Sequence, residues 1–428
     1  MPLTVESVDR TTVRVPYREV PERHLFRTRP AWNYFDVFEA TLSDGTVGHG
    51  ETMLYYTWAE TTDADVERAT GANAASLVWD ESLGAGLQMA LFDAVGRSLD
   101  VPVRNLLGES VRDRVPHSWW AMDMPAEDWL AECERAIEAG YTNIKFKARP
   151  WRDVRAIFAE LSEELPPWFE IDVDFNETLL DADRALPILR ELAQYPQVTV
   201  FESPIPEADL EGYRRIGAAM DGDVDVAVAV HYGSSTLDER PHPRDVVACD
   251  AIDGFVVNDS PAEVTAQGAV AAMADMRLWL QLVGTGLTTA LAAQFGAVLE
   301  AAEWPAITCH QLFEETLLEE EFVVDEGTMP VPDGPGLGVT VDADAVARHA
   351  VERPDERPTP DRLIEVSWPD DRRMYFSNYD PQMLEAAHGG SMPFYEPGVS
   401  TRLVPDDGSD RWRRLHERAR EGPVLESP

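Results

Sequence analysis

The sequence predicts an α/β protein, a TIM-type (β/α) barrel with an α+β capping domain. Three observations carry that expectation. Eight short β-like runs alternate with amphipathic helical stretches, ionisable residues recur at the run ends, and a differently patterned stretch precedes them.

The runs are HSWWAMDM, TNIKFKA, FEIDVDF, VTVFESP, VDVAVAVHY, DGFVVND, LWLQLVG and PAITCHQ, within residues 116–325. Between them lie stretches such as AEDWLAECERAIEAG, WRDVRAIFAELSEEL, DADRALPILRELAQY and PAEVTAQGAVAAMADM, with apolar residues at helical spacing. Alternating strand and helix implies a parallel sheet, and eight units imply closure. No glycine-rich phosphate loop follows a run, which argues against an open doubly wound sheet.

Residues 1–115 read as the cap: strand-like FDVFEATLSDGTVGHGE with a DG turn, then a helix over SLGAGLQMALFDAVGRSLD. Residues 326–428 are expected to return to the cap and add an extension without a functional assignment. They begin with the Pro- and Gly-rich MPVPDGPGLGVTVD, continue through a hairpin in LIEVSWPDDRRMYFSN and reach a charged helix, DRWRRLHERARE.

A length of 428 residues suits two packed domains. The 36 basic and 78 acidic residues give a net charge of −42, spread along the chain, which excludes nucleic acid as an expected partner. Disorder is excluded by 44% hydrophobic residues and 12 Trp in periodic runs. Molar salt shortens the Debye length to about 3 Å and screens the self-repulsion, so the composition suggests a salty cytoplasm. Cys133, Cys249 and Cys309 have neither ligand nor framework spacing. MPLTVESVDR lacks an apolar signal core, and no stretch approaches the ~20 apolar residues of a membrane span. A membrane partner is therefore not expected.

Lysine occurs only in YTNIKFKARP, as Lys145 and Lys147; the other 34 basic residues are arginine. Arginine replaces lysine as a surface cation but cannot give up its proton at ordinary pH, whereas a desolvated lysine can act as a base. The pair is therefore a candidate for proton chemistry.

Lys147, Asp174, Glu202, His231 and Asp259 end consecutive runs, at gaps of 27, 28, 29 and 28 residues. One βα unit per step places them around one mouth of a barrel. Asp174, Glu202 and His231 offer two carboxylates and an imidazole to one divalent cation. Mg²⁺ prefers oxygen, while the histidine also suits Mn²⁺, Fe²⁺ or Zn²⁺. A cation there would stabilise enolate oxygens while neutral Lys147 removes a proton α to a carboxylate. Lys147 as a Schiff-base nucleophile in an aldolase-like barrel is a second reading, and a barrel without turnover is a third.

KFK at the second run, VDFN at the third, FESP at the fourth and VPDGPGLGV near residue 335 resemble the enolase superfamily. The closest look is to its mandelate racemase and glucarate dehydratase branch, over about residues 1 to 345. The resemblance implies that Lys147 is the base and Lys145 its electrostatic partner near the substrate carboxylate. It further implies Asp174 and Glu202 as metal ligands, with Mg²⁺ foremost, and Asn176 as a polar neighbour. Residues 17–33, with His24 and Arg27, resemble a substrate-covering loop. Trp119, Trp120, Arg149 and Gln281 are further candidates for substrate contact.

Two departures stand out. His231 occupies the position of a usual carboxylate ligand, and LWLQLVGTG lacks the histidine that would pair with Asp259 on the opposite face. His310, one strand on, is the candidate substitute. The expected activity is a metal-dependent dehydratase acting on a sugar acid or related hydroxy acid, with a racemase or epimerase as alternative. A small-molecule carboxylate is the expected partner, and a homo-oligomer the expected assembly.

Overall fold

The computed structural model describes residues 3–57, 59–220, 226–232 and 241–427. The first two residues of the VDVAVAVHY run, 224–225, lie outside them.

The chain opens on an antiparallel sheet of β1 (Val5–Arg14), β2 (Tyr34–Leu42) and β3 (Val47–Met53), with β2 central. The DG turn joins β2 to β3: Asp44 Oδ1 accepts from the Thr46 N–H at 2.9 Å, and Gly45 takes φ +86°. Helix Ala85–Ser98 lies so close against β3 that a Cβ at Gly48 would stand 2.2 Å from the Ala94 nitrogen. A Cβ at Gly50 would stand 2.1 Å from the Gly86 carbonyl oxygen. The glycines of VGHGE are thus spacers between strand and helix. The covering segment is a helix over Glu19–Thr28, where a loop was expected.

A short β4 (Arg114–Pro116) leads into the barrel. Its strands are β5 (Trp119–Ala121), β6 (Asn143–Lys147), β7 (Glu170–Asp174), β8 (Val198–Glu202), β9 (Ala227–His231), β10 (Gly254–Val257) and β11 (Arg277–Leu280). All run parallel, each hydrogen-bonded to its sequence neighbour. The run PAITCHQ forms no full strand. It makes two isolated parallel bridges, Ala306 to His117 and Ile307 to Gln281, and these tie the β11 side to the β5 side.

Alternation sorts the strand residues. Phe146 faces outward and stacks on Trp129 of helix Ala126–Glu138 at 3.8 Å, while Lys145 and Lys147 face the other way. Polar caps start the intervening helices: Asp153 accepts from the Ala156 N–H, Asp181 from Arg184, and Ser260, ahead of Pro261, from Glu263. These caps fix where each loop at the mouth ends.

β12 (Thr328–Pro330) pairs back on β4. The final segment builds its own antiparallel sheet from β13 (Leu363–Ser367), β14 (Arg373–Phe376), β15 (Ser400–Val404) and β16 (Val424–Glu426). The expected hairpin is β13 with β14. Helix Asp410–Glu421 covers this sheet through Trp412, Leu415 and Ala419, which pack on Leu363 and Tyr375. No helix among the described residues is long and apolar enough to cross a membrane.

Candidate active site

The C-terminal ends of the barrel strands open into a cavity of about 950 Å³, bounded by the barrel, the cap and the final segment. Left-handed backbone recurs just past these strands: Asn176 (φ +43°), Ser203 (+41°) and Asp259 (+98°). Such conformations cost non-glycine residues energy and persist where surrounding contacts impose them. Here they turn polar residues at the strand ends.

Beneath the cavity lies a closed electrostatic cluster. Lys145, with no exposed side-chain surface, contacts Glu202 Oε2, stands 3.3 Å from Asp174 Oδ2 and donates to Gln281 Oε1 at 2.6 Å. Its ammonium lies 5.3 Å from the Trp279 ring centroid. Lys147, 12% exposed and lining the cavity, donates to Asp174 Oδ2 and, at 3.2 Å, to Asn176 Oδ1.

The two lysines diverge electrostatically. Burial alone would lower Lys145, but Glu202 and Asp174 raise its pKa above the ordinary lysine value. Burial also dominates at Lys147 and, with Lys145 and Arg149 nearby, outweighs Asp174, so its pKa falls to about 8. Asp174 would be raised by burial, yet Lys147, Lys145 and Arg149 hold it well below the usual carboxylate range. Glu202 is pushed up, by burial and then by Asp174. One lysine is thus a permanent cation and the other a candidate base.

His231 ends β9 beside this cluster. Its Nδ1 lies 2.9 Å from Glu207 Oε1, and its Nε2 lies 3.5 Å from Glu202 Oε1. With the Nδ1 proton on Glu207, the Nε2 lone pair faces a carboxylate oxygen, the tautomer that metal-binding histidines adopt. Of the two buried oxygens of Glu202, Oε2 lies against the Lys145 ammonium, while Oε1 receives no aligned hydrogen bond. A carboxylate oxygen without a donor beside an imidazole lone pair fits a divalent cation held by Asp174, Glu202 and His231. The gathering is not a ready-made cage. Among the described residues no three His, Cys, Asp or Glu side chains stand in metal-binding arrangement, and the Lys145 ammonium bridges the two carboxylates.

The remaining candidates divide. Trp120, Arg149, Asn176, Gln281 and Asp259 line the cavity. Trp119 does not; its indole donates to Glu132 Oε2 at 2.9 Å, behind β5. His24 and Arg27, expected to contact substrate, instead fasten the cap helix to the barrel. His24 Nε2 lies 2.7 Å from Asp128 Oδ2, and Arg27 donates to Asp123 Oδ2 at 2.8 Å. Burial would raise Asp123, but Arg27, Arg152 and Arg149 hold its pKa below the usual value.

His310 is likewise displaced from its expected catalytic position. Cys309 takes φ +62°, and His310 turns into the barrel wall against His117 and Tyr141, with Nδ1 2.9 Å from the Thr308 hydroxyl. Burial takes its pKa well below the ordinary histidine value, and it does not line the cavity.

Other lining residues were not foreseen. Glu51 of β3 spans from cap to barrel, accepting from the N–H groups of Thr285 at 2.7 Å and Thr288 at 2.9 Å, at the start of helix Gly286–Val298. Trp32 and Tyr56 form an aromatic wall, centroids 4.5 Å apart. Glu207 lies five residues past Glu202 and accepts from the Ser203 hydroxyl at 2.6 Å and from the His231 backbone N–H at 2.9 Å, besides facing His231 Nδ1. Tyr379, Asp380, Glu385 and His388 arrive from the final segment.

The Enolase C-terminal domain-like family matches residues 128–345, about half the chain. A chloromuconate cycloisomerase of Cupriavidus pinatubonensis is 27% identical over 275 residues, 62% of this chain and 72% of that protein. A D-galactonate dehydratase of Pectobacterium atrosepticum is 25% identical over 375 residues, 78% of this chain and 94% of that protein. The crystal structure of the muconate lactonizing enzyme from Pseudomonas fluorescens complexed with muconolactone superposes with a TM-score of 0.66 at 20% identity. That superposition covers 82% of this chain and 100% of the enzyme, a likeness of fold.

Proposed function

The chain belongs to the enolase superfamily, among its mandelate racemase and muconate lactonizing enzyme-like members, and on that premise we propose that it is a metal-dependent dehydratase of a sugar acid or related hydroxy acid. The observation that carries this reading is Lys147, a cavity-facing amine whose pKa falls to about 8 within reach of a carboxylate pair.

Lys147 takes the proton α to the substrate carboxylate, its neutral form being accessible near neutral pH. Lys145, held as an ammonium, contributes fixed positive charge beneath the carbon that becomes an enediolate. A divalent cation on Asp174, Glu202 and His231 would supply further charge stabilisation for the enediolate oxygens. Collapse of the enediolate electron pair into the C=C bond expels the β-hydroxyl, which leaves as water with the proton that Lys147 took up. The enol left behind tautomerises, with a proton from solvent, to a 2-keto-3-deoxy acid.

Gln281 favours elimination over racemisation. It follows β11, facing Lys145, at the position where the resemblance would put a histidine as proton carrier for the opposite face, and an amide cannot carry that proton.

The test is exchange of the α-proton of D-galactonate, D-xylonate and related aldonates in deuterated buffer with Mg²⁺ or Mn²⁺, together with formation of a 2-keto product. Lys147→Ala and Lys147→Arg are expected to lose about 10²–10⁴-fold in rate, the worth of a positioned base. Full turnover by Lys147→Ala, or trapping of a substrate adduct on Lys147 by borohydride, would overturn the reading.

A further inference from the structure

We propose that Tyr379 is a positioning residue for Lys147, and that the C-terminal sheet module is thereby a working part of the active site. The proposal rests on the reading of Lys147 as the base. The matched family region ends at residue 345, so Tyr379 lies outside it.

Tyr379 is buried and lines the cavity. Its ring meets Trp151 edge to face at 5.6 Å, and the Arg29 guanidinium lies 5.1 Å from its centroid. Arg29 in turn pairs with Asp380 at 2.9 Å, fastening the cap to the module. The Tyr379 hydroxyl accepts from Arg149 Nε at 3.1 Å. The remaining Arg149 nitrogens donate to the carbonyl oxygens of Ala148 (2.7 Å) and Asp174 (3.1 Å) and to Asn176 Oδ1. Lys147 donates to that same Asn176 oxygen.

A planar guanidinium has its donors in fixed directions, so fixing Nε fixes the nitrogen that meets Asn176. Tyr379 therefore sets, through Arg149, the acceptor against which Lys147 is aligned. The module grips Asn176 a second time: His388 Nε2 donates to its carbonyl oxygen at 2.8 Å. All these Arg149 hydrogen bonds go to uncharged acceptors. The Asp174 and Asp123 carboxylates act on its charge through space, so the hydrogen bonds themselves serve direction. What the uncharged arrangement achieves is placement beside the amine.

The chain has just two lysines, and Lys145 has no exposed surface, so acetylation mapped by mass spectrometry reads Lys147 without any substrate. In the full-length protein, Tyr379→Phe is expected to accelerate Lys147 acetylation about threefold or more, the restraint of one hydrogen bond. Tyr379→Phe combined with Arg149→Ala should be no faster than Arg149→Ala alone, because the two act in series. Arg411→Ala, which breaks an exposed ion pair to Glu426 elsewhere in the module, should keep the wild-type rate. If Tyr379→Phe lowers the melting temperature, His388→Ala must give the same acceleration.

An unchanged rate in Tyr379→Phe, or accelerations that multiply in the double variant, would overturn the proposal. Turnover retained by Lys147→Ala would remove the base reading alone, whatever the acetylation rates show. With a turned-over aldonate, Tyr379→Phe should lower kcat while leaving KM within about twofold, the mark of lost alignment as opposed to lost binding.

Discussion

Two lysines two residues apart meet opposite fates because their surroundings differ in sign. Lys145 sits between Asp174 and Glu202 and stays charged; Lys147 shares Asp174 with Lys145 and Arg149 and is pushed toward neutrality. Proton exchange should therefore rise with pH through about 8 and level off above it, as the neutral amine accumulates. A rate independent of pH between 6.5 and 9.5 would count against Lys147 as base. Stability carries the matching signature. Above about pH 8 the native amine has released its proton while the unfolded one, near 10.5, still holds it. The contribution of Lys147 to stability therefore rises with pH across that window, and Lys147→Met should flatten the rise in urea midpoints. These lysines were legible in the sequence because a lysine-poor chain makes each survivor conspicuous and strand-end spacing aligns them with Asp174 and Glu202. His310 shows where that logic stops. It also follows a β-like run, but the left-handed Cys309 turns it into the wall, and a one-residue reversal leaves no periodic trace. Tyr379 follows no barrel strand and Glu207 lies five residues beyond one, so neither shares the strand-end spacing, and their partners Arg149 and His231 come from other elements.

At the scale of elements, the helix Glu19–Thr28 is held to the barrel by buried charge as well as by the buried Leu25. Arg27 and Asp123 are both nearly inaccessible, and Asp123 also takes the indole N–H of Trp151 at 2.9 Å. Arg27→Ala would leave a buried carboxylate paired with Arg152 at 3.5 Å and with Arg149 acting from farther off, and a loss of about 3 kcal/mol is expected, measurable by urea titration. A loss under about 0.5 kcal/mol would mean that the seam behaves as an exposed pair. This seam also explains the misplacement of His24 and Arg27. Their position in a covering segment was readable, but their direction depends on partners about a hundred residues away. The barrel strands were legible for the opposite reason. Strands covered on both faces read as near-continuous apolar runs, and helical spacing between them marks each crossover. The eighth run carried the same apolar signal yet makes only bridges.

For the molecule as a whole, a net charge of −42 makes salt a structural variable. Raising NaCl from about 0.1 to 1 M shortens the Debye length from about 10 to about 3 Å, so self-repulsion should fade and the urea midpoint should rise. A midpoint that falls with salt would show that paired surface charges outweigh the acidic excess. Charge and composition were open in the sequence, while the use made of the last segment was not: its hairpin and helix predict a small sheet without saying where it docks. That docking has a consequence during synthesis. Arg149 waits for an acceptor 230 residues downstream, which at roughly 5–20 residues per second is a delay of roughly 10–50 s on the ribosome. A nascent chain can close its barrel in that time, yet its pocket lacks a side until residue 388 has emerged. On the proposed role of Tyr379, the alignment of Lys147 through Arg149 is completed only late in translation.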